Sequence, residues 1–167
     1  MEQSIPALLI ASIMILASVL IASVTNSSIS TVNDSWREME MISEERLGTD
    51  LTVVSTQVSP DTLEVTVVVL NEGRTPLADF EHMDLIINYN GADLGRHITW
   101  LPYTEDTLQP SNTWKLGAIL SDYHNPGIVD TGEQMAAIIK VTPGVLIGPD
   151  RWLVLSTETG VAYTVYF

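Results

Sequence analysis

The stretch MEQSIPALLIASIMILASVLIASVTNSS, Met1–Ser28, decides how the chain is read. From Ile5 to Val24 it runs twenty positions without a charge, broken only by Pro6 and three serines. An α-helix needs roughly 20 apolar residues to cross a bilayer. A helix apolar on every face has to be enclosed by something, and the rest of the chain offers nothing that could surround one. A secretory signal has a basic start and a core of about 7–15 apolar residues. Here the core is longer, and the first basic residue is Arg37. A membrane anchor takes its orientation from cytoplasmic Lys and Arg, which Met1–Gln3 lacks. A basic leader removed by processing would account for that absence.

The residues that follow carry a second signal. In TNSSISTVNDSWREMEMISEERL, Thr25–Leu47, the apolar residues Ile29, Val32, Trp36 and Met39 fall three, four and three apart, and Ile42 continues the series. This is one stripe of a helix, with Glu38, Glu40, Glu44, Glu45 and two arginines on the other faces. Pro6 sits in the first turn, where the missing N–H is harmless. Gly48 stands where a helix commonly ends on a left-handed glycine. One continuous helix over Ser4–Leu47 is therefore predicted, about 65 Å long at 1.5 Å per residue. Its apolar part is 5–24 and its amphipathic part 25–47.

A bilayer explains the first half but does not require the stripe in the second. Bundling of many copies explains both. Ile5, Leu8, Leu9, Ile13, Leu16, Leu20, Ile21 and Val24 would pack in the core of a helical filament. The stripe Ile29, Val32, Trp36 and Met39 would pack beneath an outer layer. Small residues at Ala7, Ala11, Ser12, Ala17, Ser18 and Ala22 permit close helix approach. The competing reading is an anchor continued by a stalk helix.

Composition narrows the remainder. The chain has 167 residues and 21 acidic against seven basic side chains, a formal charge of −14. Such a balance argues against nucleic acid, whose phosphates are met by Lys and Arg, and against anionic lipid headgroups. There is no cysteine, so disulfides, lipoprotein acylation and thiolate chemistry are excluded.

Beyond Gly48 the hydrophobic period changes from 3.6 to 2. In DTLEVTVVVLNEG, Leu63, Val65, Val67 and Val69 alternate with Glu64, Thr66, Val68 and Leu70. Further strands are expected at Leu51–Val58, Leu85–Tyr89, His97–Leu101, Thr113–Leu120, Gln134–Val141, Trp152–Ser156 and Val161–Phe167. Turn signals stand between them at Asn71–Gly73, Asn90-Gly91, Pro110–Asn112, Pro143-Gly144 and Glu158–Gly160. Asn90-Gly91 is the sharpest, the signature of a type I′ hairpin. The fold class is α+β: a long N-terminal hydrophobic α-helix followed by an antiparallel Ig-like β-sandwich. Residues 1–48 form the assembly helix and 49–167 the outer domain.

The sandwich carries little that reads as chemistry. His82, His97 and His124 are not spaced as ligands on one element. Asp122, His124 and Asp130 in SDYHNPGIVD could hold a cation in principle, although such loops are usually solvated turns. No nucleophile elbow or phosphate-cradling glycine loop occurs. Glu105-Asp106 reads as surface charge, and Trp100, Trp114 and Trp152 as core or inter-subunit packing. An enzyme is not expected, and neither cofactor nor metal is implied. Asn26 and Asn33 begin N-x-S sequons, but a helix packed under other subunits would block a sugar there.

An apolar helix running into an amphipathic stretch and then a β-sandwich resembles the archaellin and archaeal type IV pilin superfamily, which includes archaellum stator-like proteins. The stretch VTVVVLNEGRTPLADFEHMDLIINYNG is similar to strand–turn–strand segments of archaellum-associated domains, and TGVAYTVYF resembles the family's usual ending. Where bacterial-type pilins carry a glutamate, this chain has Ile5. The resemblance implies a structural subunit of an extracellular motility or adhesion filament, assembled from a membrane-inserted precursor. Its partners would be further copies of itself, surface-layer proteins or the motor platform. The alternative is a membrane-anchored, stator-like module that binds the cell envelope.

Overall fold

The computed structural model describes residues 4–167, the side chains of 4–7 excepted. The chain divides into two compact units, the second of which is Glu44–Phe167. Helix α1 runs unbroken over Ser4–Gly48, within a residue of its predicted end. The hydroxyls inside it are absorbed by the helix itself. Those of Ser18, Thr25, Ser28, Thr31 and Ser35 donate to the carbonyl four residues earlier at 2.8–3.1 Å. Ser12 bonds the carbonyl of Leu9 in the same way. Serine and threonine thus remain compatible with an apolar surrounding, because no hydroxyl is left unpaired in it.

The second unit is a β-sandwich of eight strands: β1 Leu51–Val58, β2 Glu64–Asn71, β3 Asp84–Asn90, β4 Arg96–Leu101, β5 Thr113–Leu120, β6 Gln134–Lys140, β7 Trp152–Ser156 and β8 Ala162–Tyr166. One sheet has the order β1-β2-β6-β5 and the other β4-β3-β7-β8, with all pairings antiparallel. These orders are those of the ABED and C′CFG sheets of an Ig-like sandwich.

Period-two alternation explains why these segments became strands. In β2, Val65, Val67, Val69 and Asn71 point inward and are buried, while the residues between are half-buried. Residues on β3, β6 and β7 do the same: Leu85 and Ile87, Met135, Ala137 and Ile139, Leu153 and Leu155 are at most 1% exposed. Each such side chain contributes about 1.5–3 kcal/mol relative to solvent exposure. No disulfide ties the sheets, so apolar packing alone carries the inter-sheet contact. Trp114, fully buried at the start of β5, is its largest piece, with Tyr103 set edge-on at 4.9 Å between ring centroids.

Two turn expectations are corrected. Asn90-Gly91 does not form a type I′ hairpin. Asn90 is still paired with Arg96, and neither Asn90 nor Gly91 has a positive φ. The connection is five residues long, closed by Gly91 N–H to Gly95 O, and the left-handed position is Leu94 (φ 64°). The cause is tertiary. Gly91 bridges Val145, and Ala92 N–H reaches Gly144 O at 2.8 Å. The neighbouring β6–β7 loop has therefore captured the residues a tight turn would have used.

Gly48 is likewise not a left-handed cap, since its φ is not positive. It is glycine because another segment crowds it. A Cβ there would lie 2.5 Å from Thr75 Oγ1 and 3.0 Å from Arg74 Cγ.

Candidate functional site

The residues predicted to mediate assembly all lie on α1. Leu8, Leu9, Ile13, Leu16, Leu20, Ile21 and Val24 are each more than half exposed, and so are Ile10, Met14, Ile15 and Val19 between them. The segment is therefore apolar around its whole circumference, as the charge-free run requires. Its mean hydropathy reaches 2.5 over an 18-residue window, none of which is buried. Ile5 falls among the residues whose side chains are not described. Farther along, Ile29, Val32, Trp36 and Met39 are 53–65% exposed, and Ile42 is 42% exposed. Asn26 and Asn33 are exposed on the same helix. The hydroxyls that complete their sequons, on Ser28 and Ser35, are bonded to Val24 and Thr31 carbonyls.

Within the second unit, the end of α1 is gripped by the β2–β3 loop. The last carbonyls of a helix lack intrahelical partners. Here Gly48 O accepts the N–H groups of Arg74 and Thr75 at 2.8 and 3.1 Å, and Glu45 O accepts the hydroxyls of Thr49 and Thr75. Arg46 reaches the β7–β8 turn, its Nε donating to Thr159 O at 2.6 Å. Tyr163 on β8 donates to Thr49 O.

The loop is shaped by Asn71, which is wholly buried. Its amide donates to Thr75 O and Val129 O at 2.9 and 3.0 Å, and its side-chain oxygen accepts from Gly73 N–H. The Asn71–Gly73 turn signal thus has a mechanism: an asparagine closing on the residue two ahead. Sequence reading recognised the turn but not that this asparagine also reaches Val129, 58 residues away.

Asp122, His124 and Asp130 do not gather as ligands. Among the described residues, no group of three His, Asp or Glu side chains is placed to hold a metal. Two of these side chains organise their own loop instead: Asp122 accepts from Gly127 N–H and Asp130 from the Asn125 amide. The pivot is Glu133, 5% exposed, whose carboxylate accepts from Tyr123 N–H and Asp130 N–H at 3.0 Å. Burial opposes its charge, but these backbone donors prevail and hold its pKa below the usual carboxylate value. Glu158 behaves oppositely. Burial raises its pKa, and its Oε2 has no partner. His82 is held up chiefly by its 2.8 Å hydrogen bond to Asp79. Asp93 is held down, first of all by its bond to His97. These are exposed surface pairs, and none lies in an enclosed pocket with a nucleophile.

The three strand tryptophans separate. Trp114 is core, Trp152 is half-buried, and Trp100 is 55% exposed on the outer face of the second sheet. Beside it stand Ile98, Ile86 and Tyr166, all exposed as well.

Comparison with solved structures agrees with this architecture. The archaellum periplasmic stator protein complex FlaF and FlaG from Sulfolobus acidocaldarius matches with a TM-score of 0.54 at 14% identity, covering 70% of this chain and 87% of that one. The archaellum periplasmic stator protein FlaG from the same organism matches at 0.52 and 13%, covering 71% of this chain and 99% of that one. The sandwich has the fold of an archaellum stator protein. Archaeal flagellin FlaB1 from Methanocaldococcus jannaschii matches at 0.48 and 13%, covering 71% and 88%. No protein family and no curated protein matches the chain. What this stator-type sandwich offers is surface and not a reaction centre: a helix end clamped by a loop, two sheet faces, and one of those faces apolar and exposed.

Proposed function

We propose that the chain is a structural component of the archaellum apparatus at the cell envelope, a stator-like module held in the membrane by α1 and presenting its sandwich outside. The observation that carries this reading is the pairing of a wholly exposed apolar helix with a stator-type sandwich that accounts for 99% of a solved stator chain. Leu8–Val24, with Ile5, would meet lipid and neighbouring helices. The role is mechanical, exercised through binding to the envelope and to other archaellum components.

A second reading, a subunit of the filament itself, is favoured by a different observation. Crossing a bilayer takes roughly 20 residues, whereas α1 has 45, and Ile29, Val32, Trp36, Met39 and Ile42 lie exposed beyond the span. In a filament every copy would bury that stripe against its neighbours.

Shearing cells, separating filaments from membranes and following the full chain in each fraction distinguishes the two. Retention in the membrane pellet, resisting salt and alkali but released by detergent, is expected. Recovery as the main protein of sheared filaments, with helical order by electron microscopy, would overturn the stator-like reading in favour of the filament.

A further inference from the structure

The outer face of the β4-β3-β7-β8 sheet has an order that its exposure alone does not explain. Register places the outward residues in levels. Ile98, Asn88, Trp152 and Tyr166 lie in one row, and Trp100, Ile86, Val154 and Thr164 in the next. Arg96 stands one level beyond the first row, opposite Asn90, and Asp84 one level beyond the second. The apolar rows are thus bounded by a cation at one end and an anion at the other, six residues or about 20 Å apart along the strand.

Both end groups are fixed by the sheet. Arg96 Nε donates to the side-chain oxygen of Asn88 at 2.9 Å, and the Asn88 amide donates to Asp150 O at 2.9 Å. Asp84 accepts the Trp100 indole N–H at 2.8 Å, leaving the ring's faces purely apolar. Side chains already held in place lose little freedom on association, and exposed Trp and Tyr are the residue types that anchor interfaces. Charge also singles the face out. The chain carries −14, whereas this face balances one Arg against one Asp and adds no repulsion between copies.

We infer that this face pairs with the same face of a second copy, about a two-fold axis lying between the sheets and perpendicular to the strands. Such an axis through the level of Ile87 exchanges the two ends. Arg96 then meets the second copy's Asp84, and Trp100 meets its Ile98. Val154 meets Trp152 by the same operation. A pattern symmetric about one level is what an isologous contact requires. Four strands about 4.8 Å apart and six residues of about 3.3 Å give a footprint of only some 15 by 20 Å, below the roughly 800 Å² per partner of a stable interface. The pair therefore forms when α1 confines copies to one membrane or assembly, where tethering supplies millimolar effective concentrations. In this the inference rests on the envelope reading above.

The absence of cysteine makes the test direct. Full-length chain carrying Thr164→Cys on this face, reconstituted in phospholipid vesicles, is treated with a short bismaleimide. A cross-linked dimer is expected, reduced tenfold or more by Trp100→Glu. Arg96→Asp and Asp84→Arg, each added separately to the Thr164→Cys chain, should each lower the yield several-fold by facing like charges. A mixture of the two variants should restore it to within twofold, because only the mixed pair is complementary at both contacts. No recovery on mixing, or a yield indifferent to Trp100→Glu, overturns the pairing. A Ser12→Cys chain reports helix association separately. If it cross-links while Thr164→Cys does not, the face pairing fails and the envelope reading stands. If neither does, helix co-location itself has failed and the pairing falls with it.

Discussion

The carbonyl of Gly48, the last residue of the helix, accepts the backbone N–H of Arg74 at 2.8 Å. Through that bond and its neighbours, the β2–β3 loop caps a helix whose own sequence supplies no left-handed terminator. The contact needs two glycines. A Cβ on Gly73 would run into Gly48 O and lie 2.5 Å from Asp50 N, both backbone atoms that cannot step aside.

Gly73→Ala is accordingly expected to destabilise the sandwich by about 2–4 kcal/mol, lowering the denaturant midpoint without loss of the m-value. Gly48→Ala meets the ends of Thr75 and Arg74 side chains, which can move, and should cost about half as much. Chemical unfolding of both variants gives the order; equal effects would contradict this account of the clamp.

Asn71→Ala removes three hydrogen bonds from a fully buried position and strands Thr75 O and Val129 O. A loss of about 2–4 kcal/mol follows from leaving buried polar groups unmade. Hydrogen exchange should show the Arg74 and Thr75 amides among the first to lose protection, because the loop that presents them opens.

Glu133 makes stability fall in acid. Its folded pKa lies below the unfolded value, so its contribution is complete above the unfolded pKa near 4.5 and is lost as pH falls through the folded pKa. Thermal melts from pH 7 to pH 2.5 should show this decline. Glu133→Gln should flatten it, while lowering the midpoint at pH 7 because the amide makes weaker acceptor bonds to Tyr123 and Asp130 N–H.

Glu158 has the opposite sign. Its folded pKa is raised by burial, so the stability it favours is present below the unfolded pKa and is lost as pH rises through the folded one. Glu158→Gln should therefore raise the melting temperature at pH 7, by about 2–4 °C for ~0.5–1 kcal/mol. The gain should vanish near pH 4, where the wild-type carboxyl is already neutral.

On α1, Leu16→Lys places a charge at the middle of the apolar run. Insertion scales put the change at about 3 kcal/mol or more, enough to shift a large share of the chain out of alkali-resistant membranes. Trp36→Lys, beyond the span, should leave membrane retention intact. Fractionation of the two variants side by side checks where the bilayer ends along the helix.

Much of the fold is legible along the chain because its causes are local. A charge-free run of twenty residues and a 3–4–3 apolar stripe specify a helix wherever they sit, and α1 ends within a residue of expectation. Alternation in Glu64–Asn71 specifies a strand with Val65, Val67 and Val69 inward, and they are inward. Asn90-Gly91 shows the limit. The dipeptide favours a tight hairpin, but Ala92 N–H and Leu146 N–H bond across to the β6–β7 loop and the β3 end instead, and no local rule contains that loop.

Asn71, Glu133, Trp100 and Asp84 mark the same division. Nothing near them in sequence indicates that Asn71 would bridge to Val129, or that Glu133 would be a buried anion held by backbone N–H groups. Nor does the sequence show that Arg96 and Asp84 would bracket an apolar sheet face. The period of the hydrophobic pattern, read one element at a time, determined a membrane-length helix joined to an antiparallel sandwich. Only the tertiary structure decided what caps that helix and which outer face is apolar. Both depend on which strands pair and in what register, and that is settled by contacts between residues far apart in the chain.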